Sequence, residues 1–117
     1  MSLNLYMKTD KFSSNKGMAE YFKNELAKNG LNLSEPCDEE YMYSLQSEVD
    51  GVVVIFYMGK NDEESSPSLW QIWPQQKIPL LKKLFGKPDR EPEKKAKLLL
   101  EKIANEIDGV QDVEWAI

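Results

Sequence analysis

The sequence predicts a two-layer α+β sandwich in which helices pack on one face of a mainly antiparallel sheet. Three observations support this: a β-hairpin signal, two amphipathic helical segments, and further strand-like runs after the hairpin. The chain has 117 residues, enough for one hydrophobic core, so we predict a single domain over 1–117. The predicted elements are helices near 14–29 and 92–107, the hairpin 41–58, and strands near 69–73 and 110–115.

The start of the chain carries a weak strand signal, because Leu3, Leu5 and Met7 alternate with polar residues. The first six residues lack the charge and the apolar length of a signal peptide. Met1-Ser2-Leu3 could be a cloning remnant. We therefore give residues 1–6 little weight, as a segment that could be partly foreign to the natural protein or disordered.

A first helix is predicted over Ser14–Asn29. Ser13 or Ser14 can cap its start, and Gly30 stands in the usual stop position. Apolar residues recur through this segment at helical spacing and form one stripe, which is typical of a core-facing helix. The stripe consists of Met18, Tyr21, Phe22 and Leu26.

The hairpin is the strongest local signal in the chain. Tyr41–Val49 and Val52–Met58 flank Asp50-Gly51, a dipeptide that tolerates the positive φ angles of a type I′ turn. This turn sets Val49 opposite Val52, and alternation then gives the hairpin one apolar face, which we assign to the core. The residues assigned to that face are Tyr41, Tyr43, Leu45, Val49, Val52, Val54, Phe56 and Met58.

The second hairpin strand is apolar on both faces, so it should be central, with a neighbour beyond it. We predict that neighbour at Leu69–Trp73, ended by Pro74 because proline cannot donate to a ladder. Alternation separates Trp70 from Trp73. At least one tryptophan should therefore share a face with the second apolar side of the hairpin.

Pro79 is predicted to open a short helix over Leu80–Phe85. A long helix follows over Pro92–Ile107, with acidic residues in its first turn, and a final strand is predicted over Val110–Trp115. The buried stripe of the long helix is predicted to be Ala96, Leu99, Leu100, Ile103 and Ile107.

The composition excludes several kinds of chemistry. With no histidine and the single cysteine Cys37, the chain cannot form a Ser-His-Asp or Cys-His site or a Cys/His zinc site. Phosphate-binding glycine motifs are absent as well. We therefore predict a protein that is not an enzyme and has no catalytic residue, metal or cofactor. Because an internal disulfide is impossible, a cytoplasmic location is the default.

Two acidic clusters are expected to meet at one end of the hairpin. Residue 41 is predicted to lie opposite residue 60, so the loops before and after the hairpin emerge together. This acidic pole could be an ordinary solvated surface, a contact for a basic protein, or a calcium site. The spacing lacks the pattern of a calcium-binding loop, so no metal is predicted. The acidic pole consists of Asp38, Glu39, Glu40, Asp62, Glu63 and Glu64.

The second face of the sheet is the other candidate surface. It would be an apolar, aromatic patch if helices cover only the core face, and such patches usually mark interaction sites. Alternatively, the short helix or the N-terminal segment folds over it. The candidate partner or dimer residues on this face are Val53, Ile55, Tyr57, Trp70 and Trp73.

These features favour a small, acidic, protein-binding protein of the inhibitor, immunity-protein or secretion-chaperone type. The alternative is a homodimeric small-ligand-binding or regulatory domain without catalytic activity. The net charge of −5 and the single arginine argue against binding to duplex nucleic acid. No apolar run approaches the roughly 20 residues that span a bilayer, so no membrane span is expected.

Overall fold

The computed structural model describes residues 3–78, 84, 86 and 89–117. Neighbouring strands in its sheet pair antiparallel, in the order β2-β3-β4-β5-β1-β6. The predicted α+β architecture with an antiparallel sheet is therefore confirmed. The elements are β1 (Asn4–Lys8), α1 (Asn15–Lys28), β2 (Cys37–Asp38), β3 (Tyr43–Val49), β4 (Val52–Lys60), β5 (Leu69–Gln76), α2 (Glu91–Asn105) and β6 (Gln111–Ala116).

The hairpin of β3 and β4 has the predicted turn and register. Asp50 and Gly51 adopt φ angles of 53° and 78°, the left-handed conformation that a type I′ turn requires at both positions. Pairing then runs without interruption from Val49 opposite Val52 to Tyr43 opposite Met58. This local dipeptide therefore sets which residues of the two strands share a face.

Tyr41 does not belong to the core face, and its predicted placement there is wrong. The chain turns back before β3, because β2 pairs with the start of that strand and sets Asp38 opposite Tyr43. Glu40 lies in the turn with φ 77°, and the amide of Glu39 donates to the carbonyl of Met42 at 2.8 Å. As a result the Tyr41 side chain is 84% exposed.

The N-terminal strand is far more important than the sequence indicated. β1 lies inside the sheet between β5 and β6, and Leu5 and Met7 are fully buried. Asn4–Tyr6 are therefore ordered as part of this strand, although residues 1–6 receive little structural weight from the sequence alone. Since β1 is part of the sheet, it does not fold over the second face.

Pro74 does not end the third strand, which continues to Gln76. The amide of Lys77 donates to the carbonyl of Val53, and alternation along the ladder then points the Pro74 nitrogen away from β4. On that other side β5 pairs with β1, but this pairing stops at Leu5 opposite Ile72, before it reaches Pro74. Proline is tolerated because no ladder bond is needed there.

Both predicted long helices are present and pack on the same face of the sheet, where each contacts β3, β4 and the other helix. Ser14 caps α1 by accepting from the amide of Gly17 at 3.0 Å. The predicted short helix falls on residues that, apart from Leu84, lie outside the described part of the chain. The buried helix residues are Met18, Ala19, Phe22, Leu26, Pro92, Ala96, Leu100, Ile103 and Ala104.

Neither described helix combines the length and the apolarity needed to cross a membrane.

Gln76 fixes the start of α2, whose N-cap residue Arg90 makes no side-chain capping bond. The buried Gln76 amide donates to the carbonyl of Asp89 at 2.6 Å, and its oxygen accepts from the amide of Glu93 at 3.2 Å.

We expect Gln76→Ala to lower the free energy of unfolding by about 1–3 kcal/mol, because the substitution leaves the carbonyl of Asp89 and the amide of Glu93 without their Gln76 partner. Urea denaturation measures the change. The matched control is the exposed neighbour, Gln75→Ala, which should change stability by less than about 0.5 kcal/mol; equal effects would contradict the capping role.

Candidate functional site

The face of the sheet opposite the helices carries an apolar, aromatic centre, which we call the open face. It is formed by Val53, Ile55 and Tyr57 of β4 and by Trp73 of β5, each half-buried. In the described part of the chain, both helices pack on the other face. Tyr57 lies directly opposite Trp73, and the two rings stack with centroids 5.5 Å apart and planes 24° apart.

Trp70 does not lie on the open face, so its assignment to a partner or dimer surface is wrong. It pairs with Met7 on the core side of the sheet and is only 2% exposed. Its indole N–H donates to the carbonyl of Thr9 at 3.0 Å, and its ring packs edge-on against Phe12. A side chain held in this way belongs to the core.

Polar side chains border the open face. Along β3, Ser44, Gln46 and Glu48 lie opposite Tyr57, Ile55 and Val53 respectively. Beyond Trp73, Gln75 lies opposite Ile55, and Gln71 pairs with Gly59. An apolar centre with a polar border is the usual anatomy of a protein-binding surface.

The structure places the two loops of the acidic pole at the same end of the hairpin. The Asn15 side chain joins them, because Nδ2 donates to the carbonyl of Tyr41 at 3.3 Å and Oδ1 accepts from the amide of Lys60 at 2.8 Å. Asp62, Glu63 and Glu64 line a hollow of about 710 Å³ together with Tyr41 and Asn15. The other three acidic residues of the pole lie in β2 and the turn after it.

Those three residues are partly used to hold the turn. The Glu39 carboxylate accepts from the Cys37 thiol at 3.3 Å and from the Ser44 hydroxyl at 3.4 Å. Asp38 accepts from the amide of Glu40 at 2.8 Å. The hydrogen bond to the Glu39 carboxylate raises the pKa of the Cys37 thiol, with a smaller contribution from desolvation. Cys37 is therefore held in its protonated, less nucleophilic form.

The carboxylates of Asp62, Glu63 and Glu64 are exposed and differ from the acidic residues that form ion pairs elsewhere on the surface. Asp50 pairs with Lys95 at 2.6 Å and Glu35 with Lys23 at 2.8 Å. Within the described residues, the three loop carboxylates have no ion-pair partner. In the part of the chain that the structure describes, no group of three or more histidine, cysteine, aspartate or glutamate side chains is placed to hold a metal ion. The loop therefore presents negative charge directly to solvent.

A groove that the sequence did not indicate joins the acidic pole to the open face. It has a volume of about 260 Å³ and runs from Tyr41 to Trp73, past the end of β4 and the start of the loop after it. Tyr41 forms one wall because the short strand β2 makes the chain turn there. A strand of only two residues has no periodicity, so the sequence carries no signal for this groove. The remaining lining residues are Met42, Gly59, Lys60, Asn61, Asp62 and Gln71.

Comparison of the chain with models of protein families, with curated proteins and with solved structures finds no match.

Proposed function

We propose that this chain is a non-enzymatic, cytoplasmic protein that binds another protein through the open face, in the manner of a small inhibitor, immunity protein or secretion chaperone. The observation that supports the proposal best is the stacked pair of Tyr57 and Trp73, which lies half-exposed on a sheet face opposite both described helices. The proposed binding site consists of the open face and of the acidic pole at the end of that face.

Tyrosine and tryptophan are the residues that most often dominate binding energy at interfaces. Tyr57 and Trp73 are already ordered by stacking on each other, so a partner that covers them loses little side-chain entropy. Ile55 and Val53 extend the apolar area along the same strand. A partner surface of complementary shape would therefore gain most of its affinity from these four residues.

The acidic pole is proposed to guide the partner toward the open face. Exposed charges contribute more to the rate and specificity of association than to the final affinity. The loop carboxylates lie at the end of the open face, so a basic partner would be attracted toward the aromatic centre. The sign of the pole therefore favours a partner with a basic surface.

A bait experiment tests the proposal. Wild-type protein and the double variant Tyr57→Ser/Trp73→Ser are immobilised and exposed to lysate of the source organism, and retained proteins are identified by mass spectrometry. The matched control is Leu98→Ser, which removes an exposed apolar side chain from α2. We expect a near-stoichiometric partner on the wild type and on Leu98→Ser, reduced at least about 10-fold on the double variant, as expected for loss of hot-spot side chains.

Equal retention of the same proteins by all three baits would contradict the proposal. Light scattering on the purified wild type and double variant completes the test. A wild-type dimer that becomes a folded monomer in the double variant, with no other partner retained, would favour the homodimeric regulatory domain instead. Circular dichroism of each variant confirms that the fold is kept.

A further inference from the structure

Two aromatic side chains, Tyr41 and Trp73, line the groove between the acidic pole and the open face. Tyr41 is 84% exposed, and Trp73 is half-buried against Tyr57. Asp62 lines both this groove and the larger hollow beside it. Aromatic rings and carboxylates thus meet along one continuous surface.

Hydrogen bonds from several elements hold the groove in shape. Asn15, at the start of α1, holds the backbone of Tyr41 and of Lys60. A Cβ atom on Gly59 would lie 3.3 Å from Nδ2 of Asn15, so the strand end and this side chain are closely packed. Asn61 Nδ2 donates to Oε1 of Gln71 at 2.7 Å and thereby fixes the loop against β5. The groove is therefore formed before any partner binds.

The charged groups around the groove and the hollow are Lys60, Asp62, Glu63 and Glu64, so negative charge prevails by two. Among the described residues these carboxylates have no ion-pair partner. An apolar segment lying here would desolvate the carboxylates without giving them a partner, which is unfavourable. An acidic segment would be repelled by their like charge. A second copy of this chain would bring a further net charge of −5.

We propose that the groove binds lysine or arginine side chains of an extended basic segment of the partner protein. Cationic groups lie over the Tyr41 and Trp73 rings, where the negative ring faces attract them, and Asp62, Glu63 and Glu64 supply the opposing charge. This inference rests on the proposed function, since the partner that covers the open face also fills the groove. It adds the chemistry by which the partner is selected.

Selection from a random-peptide display library tests the inference. The library is panned in parallel on the wild type and on Tyr41→Ala/Trp73→Ala. We expect peptides recovered only on the wild type to be enriched in lysine and arginine. A fluorescein-labelled enriched peptide is then titrated by anisotropy, where Tyr41→Ala alone should raise the dissociation constant about 2- to 30-fold, as loss of a cation–π contact predicts.

Two triple variants distinguish the effect of charge at the groove from the effect of the net charge of the protein. Asp62→Asn/Glu63→Gln/Glu64→Gln should weaken peptide binding at least about 10-fold, because several charge contacts are lost together. Glu20→Gln/Glu101→Gln/Asp108→Asn removes the same number of charges away from the groove and should change affinity less than about 3-fold at physiological salt. Equal effects of the two triple variants would overturn the inference.

Other outcomes distinguish this inference from the proposed function. Enriched peptides that lack basic residues, yet lose binding in Tyr57→Ser/Trp73→Ser, would overturn the inference and leave the proposed function in place. Absence of any peptide that prefers the wild type to Tyr41→Ala/Trp73→Ala would also overturn it. In that case the bait experiment alone decides the proposed function, since that experiment does not depend on Tyr41.

Discussion

Replacement of Trp70 by alanine is expected to lower the free energy of unfolding by about 3–5 kcal/mol, as large truncations of buried aromatic residues do. The side chain is 2% exposed and packs edge-on against Phe12, with centroids 5.3 Å apart. Its removal opens a cavity beside Phe12, in the segment before α1, and also leaves the carbonyl of Thr9 without the indole N–H. Equilibrium denaturation in guanidinium chloride measures the loss.

The matched control is the other tryptophan of the same strand. Trp73→Ala removes a half-buried ring whose described aromatic contact is the stack on Tyr57, worth about 0.5–1.5 kcal/mol beyond the area it buries, so its expected loss is smaller than that of Trp70→Ala. Trp70→Phe should fall between the two, since it keeps most of the packing but not the hydrogen bond. Equal losses for Trp70→Ala and Trp73→Ala would show that the open face is a second core, which would remove the basis of the proposed function.

The two tryptophans also show how far the sequence could determine the site. Alternation correctly separated Trp70 from Trp73, but both faces of β4 are apolar, so the pattern could not say which tryptophan entered the core. The pairing of β5 with β1 decides this, because Leu5 and Met7 join Ile72 and Trp70 on the helix side. That pairing links residues far apart in sequence, and a strand as short as β1 gives little periodic signal.

Local signals were predictable where they do not depend on distant partners. The dipeptide Asp50-Gly51 determined the turn, and the turn determined the pairing of two strands. Ser14 similarly determined where α1 begins. Residue 41 shows the limit of this reasoning, because β2 adds only two residues to the edge of the sheet but redirects the chain before β3.

That redirection changes how the acidic pole works. The hairpin register correctly brought its two loops to one end, yet the two clusters are not equivalent. Glu39 accepts from Ser44 and Cys37, and so stabilises the turn that exposes Tyr41. The loop after β4 keeps its carboxylates free among the described residues. The first cluster therefore shapes the groove, and the second supplies its charge.

Reversal of charge at Glu63 and Glu64 should consequently have a large effect on the rate of association. We expect Glu63→Lys/Glu64→Lys to lower the association rate constant for the partner captured by the open face at least about 10-fold at low ionic strength, because electrostatic steering can change this constant by 10-fold or more. Both side chains are exposed, and the bond described for Glu63 is from its backbone amide to Asn61, so the fold should be kept. Surface plasmon resonance measures the rate constants, and thermal unfolding checks the fold.

Measurements at high salt, and on a variant with charges reversed elsewhere, identify the cause of the slower association. At about 0.5 M NaCl screening acts within a few ångströms, so the difference in association rate between wild type and variant should largely disappear. The control Glu101→Lys/Asp108→Lys makes the same change in net charge at α2 and the turn after it, and should slow association far less. If both double variants slow association equally, net charge alone attracts the partner and the loop after β4 has no special role. If neither slows it, the partner does not approach through the acidic pole, and only the aromatic open face remains as the proposed binding surface.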